Sequence, residues 1–344
     1  MNAAQLGRRT EPPSAAPGPV MMRAVMQSRY GTAPEDVLRL GQTAKPGVAA
    51  NEVLVQVRAA GVDRGTWHLM AGQPYLMRLL GFGFRGPRNP VPGLDVAGTV
   101  IATGSKVTRF RPGDEVFGIA RGSFAEYAVA REDKLAPKPA RLSFEQAATV
   151  AVSGLAAIQG LRDAGRIQAG QKTLVVGASG GVGTYAVQLA KSFGAEVTGV
   201  CSTAKAGLVR SIGADHVIDY TREDFADGRQ RYDLILDIGG SSRLSRLRRA
   251  LTPRGTLVIT GGEGAKWTGV GRQLRALMLS PLVGQRLTMY VSRHRRADIE
   301  TLSRLIEAGQ VTPVIGRTYR LSDASAAIRH LAEGHAQGKI AITI

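Results

Sequence analysis

The positions best placed to do chemistry cluster in Val175-Val-Gly-Ala-Ser-Gly-Gly-Val-Gly-Thr-Tyr. An apolar strand-like run, Thr173-Leu-Val-Val-Gly, enters a glycine turn, and a helical pattern from Gly181 to about Phe193 leaves it. Read as A-x-G-x-x-G, the turn has Ala178, Gly180 and Gly183 at its key positions, with Ser179, Gly181 and Val182 between them. At Gly180 a backbone without a side chain can approach a pyrophosphate, and at Gly183 a helix can pack closely on the strand. The first helical turn offers unpaired N–H groups and a positive dipole end to the phosphates. Alanine replaces the first glycine of the usual pattern, but strand, turn, helix and second strand keep the spacing of a dinucleotide site.

The second strand, Glu196-Val-Thr-Gly-Val-Cys, ends in Ser202-Thr-Ala-Lys205. A site for an unphosphorylated ribose places an Asp or Glu ~20 residues beyond the turn. From Val197 to Ala214 there is no acid. The hydroxyl of Ser202 and the ammonium of Lys205 suit a 2′-phosphate instead, so the cofactor expected is NADPH.

Other catalytic groups are scarce. Catalytic zinc needs about three Cys, His, Asp or Glu ligands. The single cysteine, Cys201, ends a strand of the nucleotide unit. Of His68, His216, His294, His330 and His335, only the last two are close in sequence. No metal is expected. None of the eight tyrosines has a lysine four residues later, which speaks against a Tyr-x-x-x-Lys acid–base pair; Tyr127, followed by Arg131, comes nearest.

The elements that must hold these groups fall into two styles. The chain has 344 residues, enough for about two domains, and 44% of them are apolar, enough for a substantial core. Residues 1–21, with Pro12, Pro13, Pro17, Gly18 and Pro19, read as a flexible tail without the apolar run of a secretory signal. With no bilayer-length apolar run either, the expected location is cytoplasmic. From Met22 to about 149, short alternating runs such as Val53-Leu-Val-Gln-Val-Arg predict a β-rich domain. From Phe144 on the pattern turns helical, and from 150 to 295 strands alternate with helices, predicting a doubly wound parallel sheet. A helix at Asp298–Ala308, a helix at Ser322–Ala332 and a final strand from Lys339 find no place in that sheet, so residues 296–344 are expected to return to the first domain.

Several motifs follow one another along Met22–Ile344: Gly61-Val-Asp, Pro92-Gly-Leu-Asp-Val-Ala-Gly-Thr-Val, Arg111-Pro-Gly-Asp-Glu-Val-Phe-Gly, Gly122-Ser-Phe-Ala-Glu-Tyr, the glycine turn and Gly213-Ala-Asp-His-Val-Ile-Asp-Tyr. In this the chain resembles the medium-chain dehydrogenase/reductase superfamily, in its zinc-independent quinone oxidoreductase branch. The resemblance implies an α/β protein with a GroES-like β-rich domain and a Rossmann domain. It also implies a homodimer joined through the Rossmann sheets, and NADPH-dependent hydride transfer to a quinone or α,β-unsaturated carbonyl. Zinc-dependent relatives carry Cys where Asp63 stands and His-Glu within the stretch matched by Gly93-Leu94-Asp95. By the same resemblance Lys205 and Tyr220 meet the adenosine phosphate end, Gly239 and Gly262 lie near the nicotinamide ribose, and Asp63, Thr66 and Trp67 face the nicotinamide. Relatives usually read Thr where Ala156 stands. Asp63 is a candidate proton donor if desolvation raises its pKa; otherwise it caps a turn and solvent supplies the proton. Trp67, Phe82 and Phe84 are candidates for an aromatic slot.

Two other readings stay open: a zinc-less alcohol dehydrogenase, aldehyde reductase or enoyl reductase on the same fold, and a non-catalytic nucleotide sensor or nucleic-acid binder. The second draws on charge, since 45 Lys and Arg against 27 Asp and Glu give +18. That excess is concentrated. Ser241–Arg296 holds 11 Arg and Lys266 against Glu263 alone, a net +11 that the glycine turn and Lys205 do not account for. No basic stretch interleaved with aromatics accompanies it, so nucleic acid is not the expected partner.

Overall fold

The computed structural model describes residues 18–75, 78–79, 83–260 and 271–344. Strands β1 (Met21–Gln27) and β2 (Leu38–Ala44) pair antiparallel on either side of a short helix, α1 (Pro34–Val37). The strand pattern thus begins at Met21, one residue inside the stretch read as tail. Then come β3 (Glu52–Val62), α2 (Arg64–Ala71), β4 (Asp95–Thr103), β5 (Glu115–Ile119), β6 (Tyr127–Arg131) and β7 (Leu135–Pro137). The valine-rich β3 is buried at nine of its eleven positions because it is paired on both edges, with β4 on one side and with β6 and the end of the chain on the other.

The helical stretch from Phe144 is two helices, α3 (Phe144–Ala147) and α4 (Ala151–Gln159). Ser143 and Gln146 close a capping box at the start of the first, satisfying N–H groups that a helix start leaves unpaired.

The second unit alternates as expected: β8 (Lys172–Val176), α5 (Gly181–Ser192), β9 (Glu196–Cys201), α6 (Ala206–Ser211), β10 (His216–Asp219), β11 (Tyr232–Asp237), α7 (Leu244–Arg249), β12 (Leu251–Ile259), α8 (Gly271–Leu279) and β13 (Arg286–Met289). The strand order is β10-β9-β8-β11-β12-β13, parallel throughout. Helix α7 is shorter than the Arg243–Leu251 pattern suggests, because Leu251 joins β12 and pairs with Tyr232.

The remainder comprises α9 (Arg296–Glu307), β14 (Ile315–Arg320), α10 (Ala324–Ala332) and β15 (Lys339–Thr343). Strand β15 runs antiparallel to β3, Ile340 opposite Val62, and parallel to β14. The chain therefore ends inside the sheet that its first third began. One apolar cluster joins the two units, with Ala59 and Phe117 from the first sheet, Leu155 and Ile158 from α4, and Val175 and Leu189 from the second unit. Burial on this scale is the main force holding the two units together.

Candidate functional site

The glycine turn sits at the C-terminal end of β8, near the middle of the parallel sheet, where open α/β sheets take their ligands. Gly177 turns the chain at φ +87°, a conformation that glycine adopts without steric cost. Gly180 occupies the N-cap of α5 and offers no side chain to bond its first N–H groups. A Cβ on Gly183 would run into the carbonyl oxygen of Gly177 and lie 2.8 Å from Ala178 Cα. Ala178 is fully buried, and Gly199 on β9 makes room for its methyl group: a Cβ on Gly199 would lie 3.0 Å from it. The alanine that breaks the glycine pattern is thus matched by a glycine on the next strand. Ser179 is buried, and its carbonyl accepts the N–H of Gly338 at 2.8 Å.

The end of β9 carries the groups expected to meet the adenosine. Ser202 precedes a short 3-10 turn that ends at Lys205. Lys205 Nζ donates to the carbonyls of Gly334 (3.1 Å) and Ala336 (2.9 Å), and burial pushes its pKa down. Tyr220 is exposed, and its N–H bonds Cys201 O at 3.1 Å, which holds it beside the same strand end. An acid that the sequence reading missed stands here too. Asp219 on β10 lies in register with Cys201, and its carboxylate accepts from the Thr203 hydroxyl and from Thr221 N (3.0 Å) and Oγ1 (2.7 Å). These bonds hold its pKa below the usual carboxylate value. The parallel pairing of the second and third strands is the signal that could have found it. Gly239 donates to Val176 O at 3.1 Å and so stands against the turn, whereas Gly262 lies outside the described residues.

In the first unit Asp63 is buried and caps α2, accepting from Thr66 N at 2.8 Å and Thr66 Oγ1 at 3.3 Å. Trp67 packs against the cluster formed with α10 and β15, as Leu331 and Ala336 also do, with the Arg64 guanidinium 5.6 Å from its ring. Its indole N–H is buried and has no hydrogen-bond partner among the described residues. Phe82 lies outside the described residues, and Phe84 is exposed. A mainly apolar cavity of about 560 Å³ opens instead between the β1–β2 hairpin and the loop 87–94, with Leu69, Pro90, Val91, Leu94 and Tyr127 among its walls. Neither Trp67 nor Phe84 lines it.

Leu94, one of the residues that line the cavity, precedes in sequence the acid of a buried ion pair. Lys339 Nζ lies 3.2 Å from Asp95 Oδ2, with both side chains almost wholly withdrawn from water. Val152 N donates to Asp95 Oδ1 at 2.7 Å. Burial pushes the Asp95 carboxyl up to about 6 against the pull of Lys339. The Lys339 stem passes beneath the glycine turn, its Cδ 3.0 Å from where a Cβ of Gly181 would stand. This donor set does not suit zinc: Asp63 is engaged as a helix cap, Leu94 has no donor atom, and Asp95 is taken by a lysine. Among the described residues no three His, Cys, Asp or Glu side chains gather as a metal site.

Five of the eleven arginines of the arginine-rich stretch pair with acids among the described residues, Arg296 with Glu300 at 3.5 Å among them. Arg246 and Arg249 reach Asp224 at 2.8 and 3.7 Å, Arg272 reaches Asp237 at 2.6 Å, and Arg295 reaches Asp163 at 3.3 Å. Among the described residues no helix is long and apolar enough to cross a membrane.

Comparison with known proteins gives two family models. Residues 49–140 match the alcohol dehydrogenase GroES-like domain, and residues 212–342 match the zinc-binding dehydrogenase model. The chain is 31% identical to the mitochondrial NAD(P)H oxidoreductase RTN4IP1 of Mus musculus, over 94% of this chain and 89% of that protein. It is 32% identical to the 2-methylene-furan-3-one reductase of Solanum lycopersicum, over 94% of this chain and 79% of that protein. The solved structure of the quinone oxidoreductase from Coxiella burnetii superposes with a TM-score of 0.83 at 27% identity, covering 94% of this chain and all of that one.

Proposed function

We propose, for a chain that belongs to the medium-chain dehydrogenase/reductase superfamily and to its quinone oxidoreductase-like branch, that this enzyme uses NADPH, without zinc, to reduce a quinone or an α,β-unsaturated carbonyl. The observation that carries the choice of cofactor is the end of β9. There Ser202 and Lys205 stand free of any competing acid from their own strand, and Asp219, the acid that β10 brings, is already engaged by Thr203 and Thr221. A 2′-phosphate is favoured by such a cationic, hydroxyl-bearing pocket, and a ribose 2′-hydroxyl is not.

When bound, NADPH supplies the hydride. The chain supplies the rest. The N–H groups at the start of α5 and the bare backbone of Gly180 hold the pyrophosphate. Ser202, Lys205 and Tyr220 hold the adenosine phosphate, and Gly239 leaves room at the nicotinamide ribose. The mainly apolar cavity lined by Leu69, Val91 and Leu94 takes the acceptor, and catalysis rests on proximity. Asp63 keeps its carboxylate on the α2 cap, so the proton comes from solvent.

The tomato relative, by its name, reduces an exocyclic enone, and this favours enones as the second acceptor class beside quinones. A homodimer through the parallel sheets fits the edge position of β13, which among the described residues has no strand beyond it and has Leu277, Met278 and Leu282 exposed in the preceding segment. The test is a panel of quinones, enones and aldehydes assayed with NADPH and with NADH. Turnover of quinones or enones with NADPH supports the reading; turnover of aldehydes alone, or equal use of NADH, overturns it.

A further inference from the structure

The apolar cavity between the β1–β2 hairpin and the loop 87–94 holds a buried polar side chain that hydride transfer does not use. Of the polar side chains that line it, Thr43, Arg88, Asn89, Arg121 and Tyr127 are partly or fully exposed, and Gln27 alone is buried, at 3% exposure. Gln27 ends β1 and is held firmly. Its backbone N–H bonds Pro90 O at 2.7 Å, and its side-chain nitrogen donates to Met70 O at 2.7 Å and to Arg29 O at 2.9 Å. Both of those partners are carbonyl oxygens, which only accept, so they fix which end of the amide carries the nitrogen. The two side-chain N–H groups are thereby spent, and the planar amide turns Oε1 away from them. Among the described residues no donor reaches Oε1. A buried oxygen without a donor is costly unless a bound molecule supplies one.

We infer that Gln27 Oε1 is a specificity contact, and that it accepts a hydrogen bond from a neutral hydroxyl on the body of the acceptor. The inference rests on the reading that this cavity takes the acceptor. The reducible carbonyl does not fill the role, because its oxygen and Oε1 both accept. A carboxylate fails for the same reason. An ammonium donates, but Arg88 and Arg121 line the same cavity and oppose a second cation. A hydroxyl remains. The rest of such an acceptor is apolar, to suit Leu69, Val91 and Leu94, and the cavity of about 560 Å³ has the size of a site for a substituted ring. Discrimination follows from the same geometry. An analogue without the hydroxyl displaces water from Oε1 and gives it no partner in return.

The test is calorimetric titration of two matched pairs, with the oxidised cofactor present so that nothing is reduced. One pair is menadione and its hydroxymethyl counterpart; the other is cyclohexenone bearing a methyl or a hydroxymethyl group. Both pairs are titrated into the wild type and into Gln27→Met. In at least one pair the wild type should bind the alcohol about tenfold more tightly than the methyl compound, and Gln27→Met should bind the two equally. Equal affinities within both pairs for the wild type, or a preference that survives in Gln27→Met, overturns the inference. The variant also takes the donor from the carbonyls of Arg29 and Met70. If it does not fold, a crystal structure of the wild type with the preferred alcohol decides instead. A hydroxyl at about 3 Å from Oε1 supports the contact, and a hydroxyl bonded elsewhere overturns it. No binding of any of the four compounds removes the acceptor from this cavity, and the inference with it. Turnover with NADPH is measured separately: an alcohol bound with the expected preference but never reduced overturns the reductase reading of the cavity and leaves the Gln27 contact standing.

Discussion

Lys339 and Asp95 meet at 3.2 Å across 244 positions of sequence, in a site closed to water and directly beneath the phosphate turn. The pair fastens β15 to β4, the strand that follows Leu94 of the apolar cavity. Removing one partner strands the other charge in a dry site, at a cost of about 3–5 kcal/mol. Lys339→Met and Asp95→Leu singly should each lower the thermal midpoint sharply, and the double variant should recover a large part of the loss. Chemical denaturation of the four proteins checks this; additive losses would mean that the two residues act separately.

Asp63 acts first as a helix cap. Asp63→Ala should cost about 1 kcal/mol of stability through the lost bond to Thr66 N, and Asp63→Asn much less. Since the carboxylate is not the proton source in this account, Asp63→Asn should keep most of the turnover. A variant that melts like the wild type but has lost turnover by orders of magnitude would reassign the proton to Asp63.

Lys205 holds the carbonyls of Gly334 and Ala336, and in the proposed reading it also meets the cofactor phosphate. Lys205→Ala should raise the KM for NADPH about tenfold or more, the usual weight of a charge-assisted bond. NADH should be affected far less. Proteolysis at Glu333–Gln337 should also speed up, because the loop loses its tether. Steady-state kinetics with both cofactors separates these effects, and equal rises in the two KM values would count against the phosphate contact.

His294 ties stability to pH. Burial, with Lys134 nearby, pushes its pKa below the ordinary histidine value, against a weaker upward pull from Asp63. The unfolded chain therefore takes up this proton first as pH falls, and the stability that His294 contributes is lost below about pH 6.5. His294→Gln should flatten the fall in thermal midpoint between neutral and mildly acidic buffer. Parallel curves for the two proteins would remove His294 as a source of that fall.

Much of this fold is legible in local pattern. The strand–turn–helix at Val175–Gly183 has its own spacing, and the helices after β8 repeat on a helical period, so the doubly wound unit follows from neighbours in sequence. The return of β15 could be inferred only because the parallel sheet had no place left for it. The site was harder to read, because its decisive contacts join distant segments. Nothing near Asp95 announces Lys339, and nothing near Lys205 announces the carbonyls of Gly334 and Ala336. Asp219 is not legible along one strand, because the neighbouring strand brings it into register with Cys201. The aromatic residues suggested a slot by their type alone, but packing directs Trp67 against the α10 cluster and leaves Phe84 in solvent.

The place of β15 between β14 and β3 also sets a timetable. Strand β3 leaves the ribosome 277 residues ahead of Lys339, counting from Val62. At ~5–20 residues per second that interval is roughly 15–55 s. Throughout it the sheet of β3 has an open edge and Asp95 lacks its lysine, while the parallel unit, whose strands are all made within the interval, is free to close as it emerges. Strand β15 thus completes a sheet begun long before it, after every strand of the parallel unit has been made.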